Sequence, residues 1–320
     1  MIETELLQIV ESETAGDPTN KRKWVRSSLR KLSQRLSQSG HGVSAPTVGR
    51  LLEKHDYSLH VNAKEKEAGS EHPQRNQQFH YLEAQKQAFR AAGWPILSVD
   101  TKKKELIGNF KNPGRTWSQQ PLEVEVHDFL SDAVGRAVPY GIYDLERNQG
   151  AVYVGTSADT PEFAVAALAQ WWQQQGRRAY PQARQLLILA DAGGSNGCRP
   201  SLWKEQLQSR LSDRFGLTVT VCHYPTGCSK WNPIEHRLFS QISLNWAGQP
   251  LRSIETLLGY IRGTTTSTGL KVTARLLAGV YQVGKRIADV VMKSLKIEHH
   301  VVCPQWNYTI RPRLASTGST

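Results

Sequence analysis

The sequence lacks the features that would place it in several large classes. No window approaches the roughly 18 consecutive apolar residues of a membrane helix. The opening residues, MIETELLQIVESE, are acidic and lack the basic-then-apolar order of a secretory leader. A cytoplasmic location is expected on that basis. Cysteine is scarce too: Cys198, Cys222, Cys228 and Cys303 form no C-x-x-C pair and have no His at zinc-finger spacing. Neither a structural zinc nor a disulfide framework is expected, and all four read as reduced thiols. Internal repeats and low-complexity segments are missing as well.

What the chain does have is length and positive charge. Its 320 residues, 39% of them hydrophobic, suffice for a full-sized core and about two domains. The net charge of +12 is unevenly spread. Residues 20–64 hold 10 Lys/Arg against 2 acids, and residues 245–320 hold 10 against 3, whereas the stretch between them is nearly neutral. Basic ends around a balanced centre fit a nucleic-acid partner.

Residues 24–38, WVRSSLRKLSQRLSQ, set Val25, Leu29, Leu32 and Leu36 on one helical face, with Arg26, Arg30, Lys31 and Arg35 largely off it. Ser39–Gly40–His41–Gly42 breaks this helix. Ser44 then caps a second one, with Pro46 in its first turn and Val48, Leu51 and Leu52 as its apolar face. Helix, Gly-containing turn and helix make the helix-turn-helix plan, in which the second helix enters the major groove. Arg26, Arg30, Thr47, Arg50 and Lys54 are therefore the candidates to meet DNA. The local excess of positive charge favours this reading over an ordinary helical hairpin.

Residues 1–61 are taken as that DNA-binding region and the polar, aperiodic residues 62–78 as a linker. Residues 79–245 alternate strands and helices: a strand ending at Asp100, a hairpin over RAVPYGIYDL and AVYVGT, a helix from Thr160, a strand ending at Asp191, a helix, a strand LTVTVCHY, and a helix carrying Glu235. An irregular insertion is expected over 101–136, and residues 246–320 read as a basic extension packed on this domain. Trp171 and Trp172 continue the apolar face of their helix and are expected in the core.

Three acids stand out. Asp100 in ILSVDTKKK and Asp191 in LLILADAGG each close a short apolar run that reads as a buried strand, and Glu235 lies in the next helix after another such strand. Two carboxylates at strand ends and one on a helix can hold a pair of divalent cations for phosphodiester chemistry. Uncompensated, the three would raise one another's pKa, so a cation is expected among them. Asp128 and Asp144 compete for the assignment but read as turn residues.

The stretches SVDTKKKELIGNFKNPGRTW (98–117), VPYGIYDLERNQGAVYVG (138–155), LADAGGSNGCR (189–199), HYPTGCSKWNPIEHRLFSQIS (223–243) and WNYTIRPR (306–313) resemble DDE transposases of bacterial insertion sequences of the ISAzo type. The N-P-I-E run, its Glu 44 positions after Asp191, is the most specific of these. The resemblance implies an α/β, RNase H-like mixed sheet flanked by helices, preceded by a small all-α helix-turn-helix domain. It implies Asp100, Asp191 and Glu235 as ligands of two Mg²⁺ ions, with Mn²⁺ as a substitute. By the same analogy Asn232 and Pro233 shape the helix start, and Lys102, Lys103, Lys104, Lys230 and His236 stand close enough to meet phosphates.

The partners it implies are transposon terminal repeats and target DNA, engaged by a homo-oligomer. Family members usually carry more sequence ahead of the helix-turn-helix, so a longer upstream reading frame is expected. Two other readings remain open: a truncated or decayed DNA-binding protein without catalysis, and an RNase H-like nuclease without strand transfer.

Overall fold

The computed structural model describes residues 2–12, 14–16, 23–25, 27–58, 73–116 and 118–313. The chain divides into two compact units, Met1–Lys66 and Glu67–Thr320.

The first unit contains α1 (Ile2–Ser12), a ribbon of β1 (Thr14–Gly16) and β2 (Lys23–Val25), α2 (Leu29–Gln38) and α3 (Ala45–Lys54). Ser28 and Ser44 begin α2 and α3 as caps, each hydroxyl accepting a backbone N–H from three residues on at 3.3 Å. Between the helices Gly40 takes a φ of +87°, which a side chain would resist. Leu6 and Val10 of α1 close on Leu32, Leu36, Val48 and Leu52. The acidic start of the chain is therefore a helix that sequence patterning left unassigned, and two short helices gain from it a third apolar wall. The helix expected from residue 24 begins instead at Leu29. Ser28 caps it there, and Val25 pairs with Thr14 in the ribbon.

The second unit is built on β3 (Ile96–Thr101), β4 (Glu105–Ile107), β5 (Gly135–Asp144), β6 (Gln149–Gly155), β7 (Gln185–Asp191), β8 (Thr218–Tyr224), β9 (Lys271–Leu276), β10 (Ile297–His299) and β11 (Asn307–Ile310). They form one mixed sheet in the order β10-β11-β8-β7-β3-β5-β6-β9, with β4 paired to β5. β3, β5 and β6 are an antiparallel meander, and β7 and β8 run parallel to β3. Counted in chain order, the five central strands lie third, second, first, fourth, fifth. This is the RNase H-like arrangement that the resemblance implied.

Helices cover both faces: α4 (Arg75–Ala91), α5 (Pro161–Trp171) with a π-helical turn leading to α6 (Arg177–Ala179), α7 (Ser201–Gln206), α8 (Ser240–Asn245), α9 (Ile254–Arg262) and α10 (Asp289–Ser294). Leu97, Val99 and Tyr140 face a core with Phe163, Trp171, Trp172 and Trp203. The expected burial of the Trp pair holds, both being 4% exposed. On the opposite face Ile234, Leu238 and Phe239 pack with α9, and Leu82 and Phe89 of α4 cover Ile96 and Leu187.

Two boundaries differ from expectation. The last residues of the expected linker belong to α4, where Gln78 is fully buried. Its Nε2 donates to the His223 carbonyl at 2.9 Å and to Asn307 Oδ1 at 2.8 Å. A residue polar in sequence is thus a core contact, because another buried amide satisfies it. Residues after 245 are likewise more than a packed extension: they supply β9 at one edge of the sheet and β10 and β11 at the other. These strands are short or edge-lying, so their alternation is weak in the sequence. The insertion after Asp100 carries β4, which makes a short antiparallel pairing with the start of β5.

Candidate active site

Asp100 and Asp191 leave the ends of adjacent parallel strands, whose register pairs Val99 with Ala190. β8 runs beside β7 to Tyr224, opposite Asp191. The chain then turns through Ser229–Trp231 and Asn232 into a π-helical turn, Glu235–Phe239, which continues as α8. This turn comes close to the sheet because the strand beneath it is bare. Gly141 lies opposite Asp100 in β5. A Cβ there would stand 2.5 Å from Phe239 Cε1 and 2.8 Å from Ile234 Cδ1. Gly150 makes the same room for Leu238.

Asn232 ties these elements together. It is fully buried. Its Nδ2 donates to Asp191 Oδ1 at 3.0 Å and to the Val99 carbonyl at 3.3 Å, while its Oδ1 accepts from the Ser98 hydroxyl. Ser98 Oγ in turn accepts the Ile234 N–H at 3.0 Å. One buried network therefore spans the strand of Asp100, the carboxylate of Asp191 and the helix start that presents Glu235.

The electrostatics follow from this proximity. Burial holds the Asp100 carboxyl far above the ordinary carboxylate range, and the charges of Asp191, Glu235 and Asp159 push the same way; the Thr101 N–H, donating to Oδ1 at 2.7 Å, offsets part of it. Asp191 is raised by burial and lowered by its Asn232 bond, with Glu235 raising it again. Burial raises Glu235 as well, while His236 and Lys102 ease it downward. The side chain of Asp100, close to Glu235, also eases the Glu235 carboxyl downward. Asp100 and Asp191 line a cleft of about 300 Å³ with Gly193, Gly194, Thr226 and Ser229.

Among the described residues, no three His, Cys, Asp or Glu side chains stand ready-made as a metal cage. The donor chemistry nonetheless fits a hard divalent cation: carboxylate oxygens, desolvated and mutually repelling, beside a cleft with room for water or a phosphate ligand.

The candidate DNA contacts are dispersed. Arg26 lies outside the described residues. Arg30 and Arg50 are exposed on α2 and α3, and Thr47 accepts from Arg50 at 3.5 Å in the first turn of α3. Lys54 is exposed but pairs with Glu3 of α1 at 2.7 Å. Lys103, Lys104, Lys230 and His236 are exposed in the second unit, His236 bonding the Lys230 carbonyl.

Lys102 corrects the expectation that it faces phosphate. Only 9% exposed, it pairs with Glu105 at 2.8 Å and lies 4.5 Å from the Trp246 ring centroid. The β4 pairing folds its neighbour Glu105 back over it, so its charge is spent inside the protein. Asp144 is the turn residue expected, its Oδ1 accepting the N–H groups of Glu146 and Arg147, but it is also buried, with the Tyr180 hydroxyl donating to both oxygens. Asp128 is exposed. One acid went unnoticed in the sequence: Asp159, whose Oδ1 accepts from Thr101 Oγ1 at 3.1 Å. It stands between the end of β6 and the Thr160 helix start, without the strand-end position that marks Asp100 and Asp191.

An RNase H-like sheet with acids at the ends of its first and fourth core strands, and another on the helix after the fifth, has the layout of metal-dependent polynucleotidyl transferases. The sequence matches the family described as Rhodopirellula transposase DDE domain over residues 5–312, and the chain belongs to that family of DNA transposases. No curated protein matches it. Solved structures similar to it include a Mos1 transposase paired-end complex with left transposon end, at 15% identity over 81% of this chain and 69% of that one, TM-score 0.45. Another is the Mos1 strand transfer complex, at 14% identity over 81% and 68%, TM-score 0.45.

Proposed function

We propose that Asp100, Asp191 and Glu235 are the acids of this transposase, and that they hold two Mg²⁺ ions, or Mn²⁺ in their place. The cations would activate the attacking water or 3′-hydroxyl and stabilise the leaving oxygen of an in-line displacement. The carboxylates hold and space them; Asn232 and Ser98 orient Asp191 and the helix of Glu235; the cleft at Gly193 and Gly194 admits the strand. On this reading the chain cleaves transposon ends and joins their 3′-hydroxyls to target DNA. The helices of the first unit contact terminal repeats through Arg30, Thr47 and Arg50, and two or more copies bring two ends together.

The single observation that carries the reading is the buried Asn232–Ser98 network, which makes acids from distant parts of the sequence one unit. The test uses DNA carrying the element's terminal repeats, with Mg²⁺. Asp100→Asn, Asp191→Asn and Glu235→Gln are each expected to abolish strand cleavage and leave end binding largely intact. Metal-dependent cleavage that survives all three changes overturns the assignment. Precleaved ends that yield no joined product with target DNA would instead point to a nuclease of the same fold.

A further inference from the structure

The basic C-terminal region holds cations that neither the three acids nor the first unit accounts for. Of its ten Lys/Arg, several are engaged within the protein: Arg311 pairs with Glu298 at 2.9 Å, Arg313 with Asp213 at 2.6 Å, and Arg262 Nε donates to the Ala274 carbonyl at 3.0 Å. Lys285 and Arg286 are placed differently. They lie on the strap between β9 and α10, which is tied down beside the start of α5. Ser157 Oγ accepts the Tyr281 N–H at 3.1 Å and donates to the Gly279 carbonyl at 3.2 Å, and the Tyr281 ring leans on Phe163 with centroids 5.2 Å apart.

The strap walls a cavity of about 550 Å³, lined among others by Lys285, Arg286, Ser195, Ser201, Asp159 and Gly194. That volume falls in the range of roughly 300–1,000 Å³ that takes a small organic group. Gly194 also borders the cleft of Asp100 and Asp191, so the two openings adjoin. A Cβ added at Gly193 or Gly194 would meet no atom within 4 Å, which leaves the ridge between them bare.

The two openings are opposite in charge. Three carboxylates meet at the cleft, and Lys102 is spent on Glu105. A polyanionic strand that brings one phosphate to those acids needs cations for the phosphates that follow. In the cavity Lys285 and Arg286 outnumber Asp159, whose Oδ1 is turned to the Thr101 hydroxyl at 3.1 Å. Lys285 pairs with Glu162 at 2.6 Å, but Arg210 holds the same carboxylate at 3.0 Å, and the lysine, 42% exposed, has further N–H groups to give. Arg286 is exposed and has no ion-pair partner among the described residues.

We propose that this cavity seats the nucleotide next to the scissile phosphate, with Arg286 and Lys285 holding that nucleotide's outer phosphate and Ser195 and Ser201 donating to it. The ligand is a DNA strand that passes from the acid cleft over Gly193 and Gly194 to the strap. The inference rests on the reading that the three acids cut DNA, and goes beyond it in giving the strand its course and a second anchor.

The test is binding of terminal-repeat DNA by the full chain, read by fluorescence anisotropy in Ca²⁺ so that the strand stays uncut. A neutral methylphosphonate replaces, one at a time, each phosphate flanking the scissile one. In the wild-type protein one or two adjacent positions are expected to weaken binding about fivefold or more. Arg286→Gln is expected to bind weaker by a similar factor and to lose less than about twofold further at those positions, since the contact is already gone. Lys285→Gln is expected to behave alike. Lys271→Gln, an exposed cation at the other end of β9, is expected to keep the full wild-type loss. Equal losses at every position in Arg286→Gln and the wild type overturn the proposal, as does a weakening of Arg286→Gln that no single phosphate accounts for. Cleavage by Asp100→Asn in Mg²⁺ would sink the three-acid reading instead, and the anisotropy scan is independent of that result.

Discussion

Replacing Asn232 with Ala tests the geometry of the site most directly. The side chain is fully buried and makes three polar contacts: to Asp191 Oδ1 at 3.0 Å, to the Val99 carbonyl at 3.3 Å, and from the Ser98 hydroxyl. Truncation removes a second donor from the Val99 carbonyl, which stays in the β3–β7 ladder, leaves Ser98 without its acceptor and opens a small void. Each buried polar group left unsatisfied costs about 1–3 kcal/mol, and some of that loss is shared or recovered by water. The expected destabilisation is roughly 2–4 kcal/mol, or of order 10 °C in melting temperature for a unit of this size.

The same change removes the bond that lowers the Asp191 pKa, so its carboxyl climbs further. Mn²⁺ affinity and cleavage are expected to fall about 10–100-fold, as when an outer partner of a metal ligand is lost. The assays are thermal unfolding, Mn²⁺ titration and cleavage, all with Ser98→Ala in a double-mutant cycle. A loss below about 0.5 kcal/mol with unchanged Mn²⁺ affinity, or strictly additive effects of the two changes, would refute the claim that the pair acts as one support.

Gly141→Ala places a methyl 2.5 Å from the Phe239 ring; it is expected to cost about 1–3 kcal/mol by overpacking and to lower cleavage with DNA binding retained, read by unfolding and cleavage assays. Lys102→Met leaves Glu105 buried without its partner, which should cost about 3 kcal/mol, and Lys102→Met with Glu105→Gln should restore much of it, measured by denaturant unfolding. His223 is fully buried, its Nδ1 bonded to the Asp191 carbonyl, and burial pulls its pKa down to about 4. Its contribution is therefore present above about pH 6.5 and is lost as the pH falls towards 4, about 3 kcal/mol in all, visible as an acid limb that His223→Gln removes. The acids have the opposite sign: their folded pKa values are raised. The cation-free fold should lose stability as the pH rises through that raised range, and Mn²⁺ binding should tighten over the same range and release protons, checked by calorimetry in buffers of different ionisation heat.

Much of the catalytic unit was legible before any coordinates. The apolar runs ending in Asp100 and Asp191, the hairpin over RAVPYGIYDL and AVYVGT, and the Thr160 helix start all carry strong local signals, because buried central strands and capped helices have patterns that their own residues impose. The acidic start of the chain was less legible. Its helix earns its place through Leu6 and Val10 packing on α2 and α3, contacts that local propensity does not encode. Gln78 is a clear case of the same limit: its polarity argued for a linker, and only its pairing with Asn307, far away in the chain, makes it interior.

The sequence by itself determined the alternation of strands and helices, the acids at Asp100, Asp191 and Glu235 and the N-P-I-E context that tied them to a family, since each of these is a property of neighbouring residues. The tertiary structure alone decided how closely those acids meet. That depends on the parallel register of β3 with β7, on the missing side chains at Gly141 and Gly150 that let the Glu235 turn descend onto the sheet, and on the Asn232–Ser98 bond across it. It also withdrew Lys102 into a pair with Glu105 and brought Asp159 onto the hydroxyl of Thr101, next to Asp100 in the chain. The physical reason is the same in each case: charge and hydrogen bonding act through space over a few ångströms, and sequence separation carries no information about which distant groups will come that close.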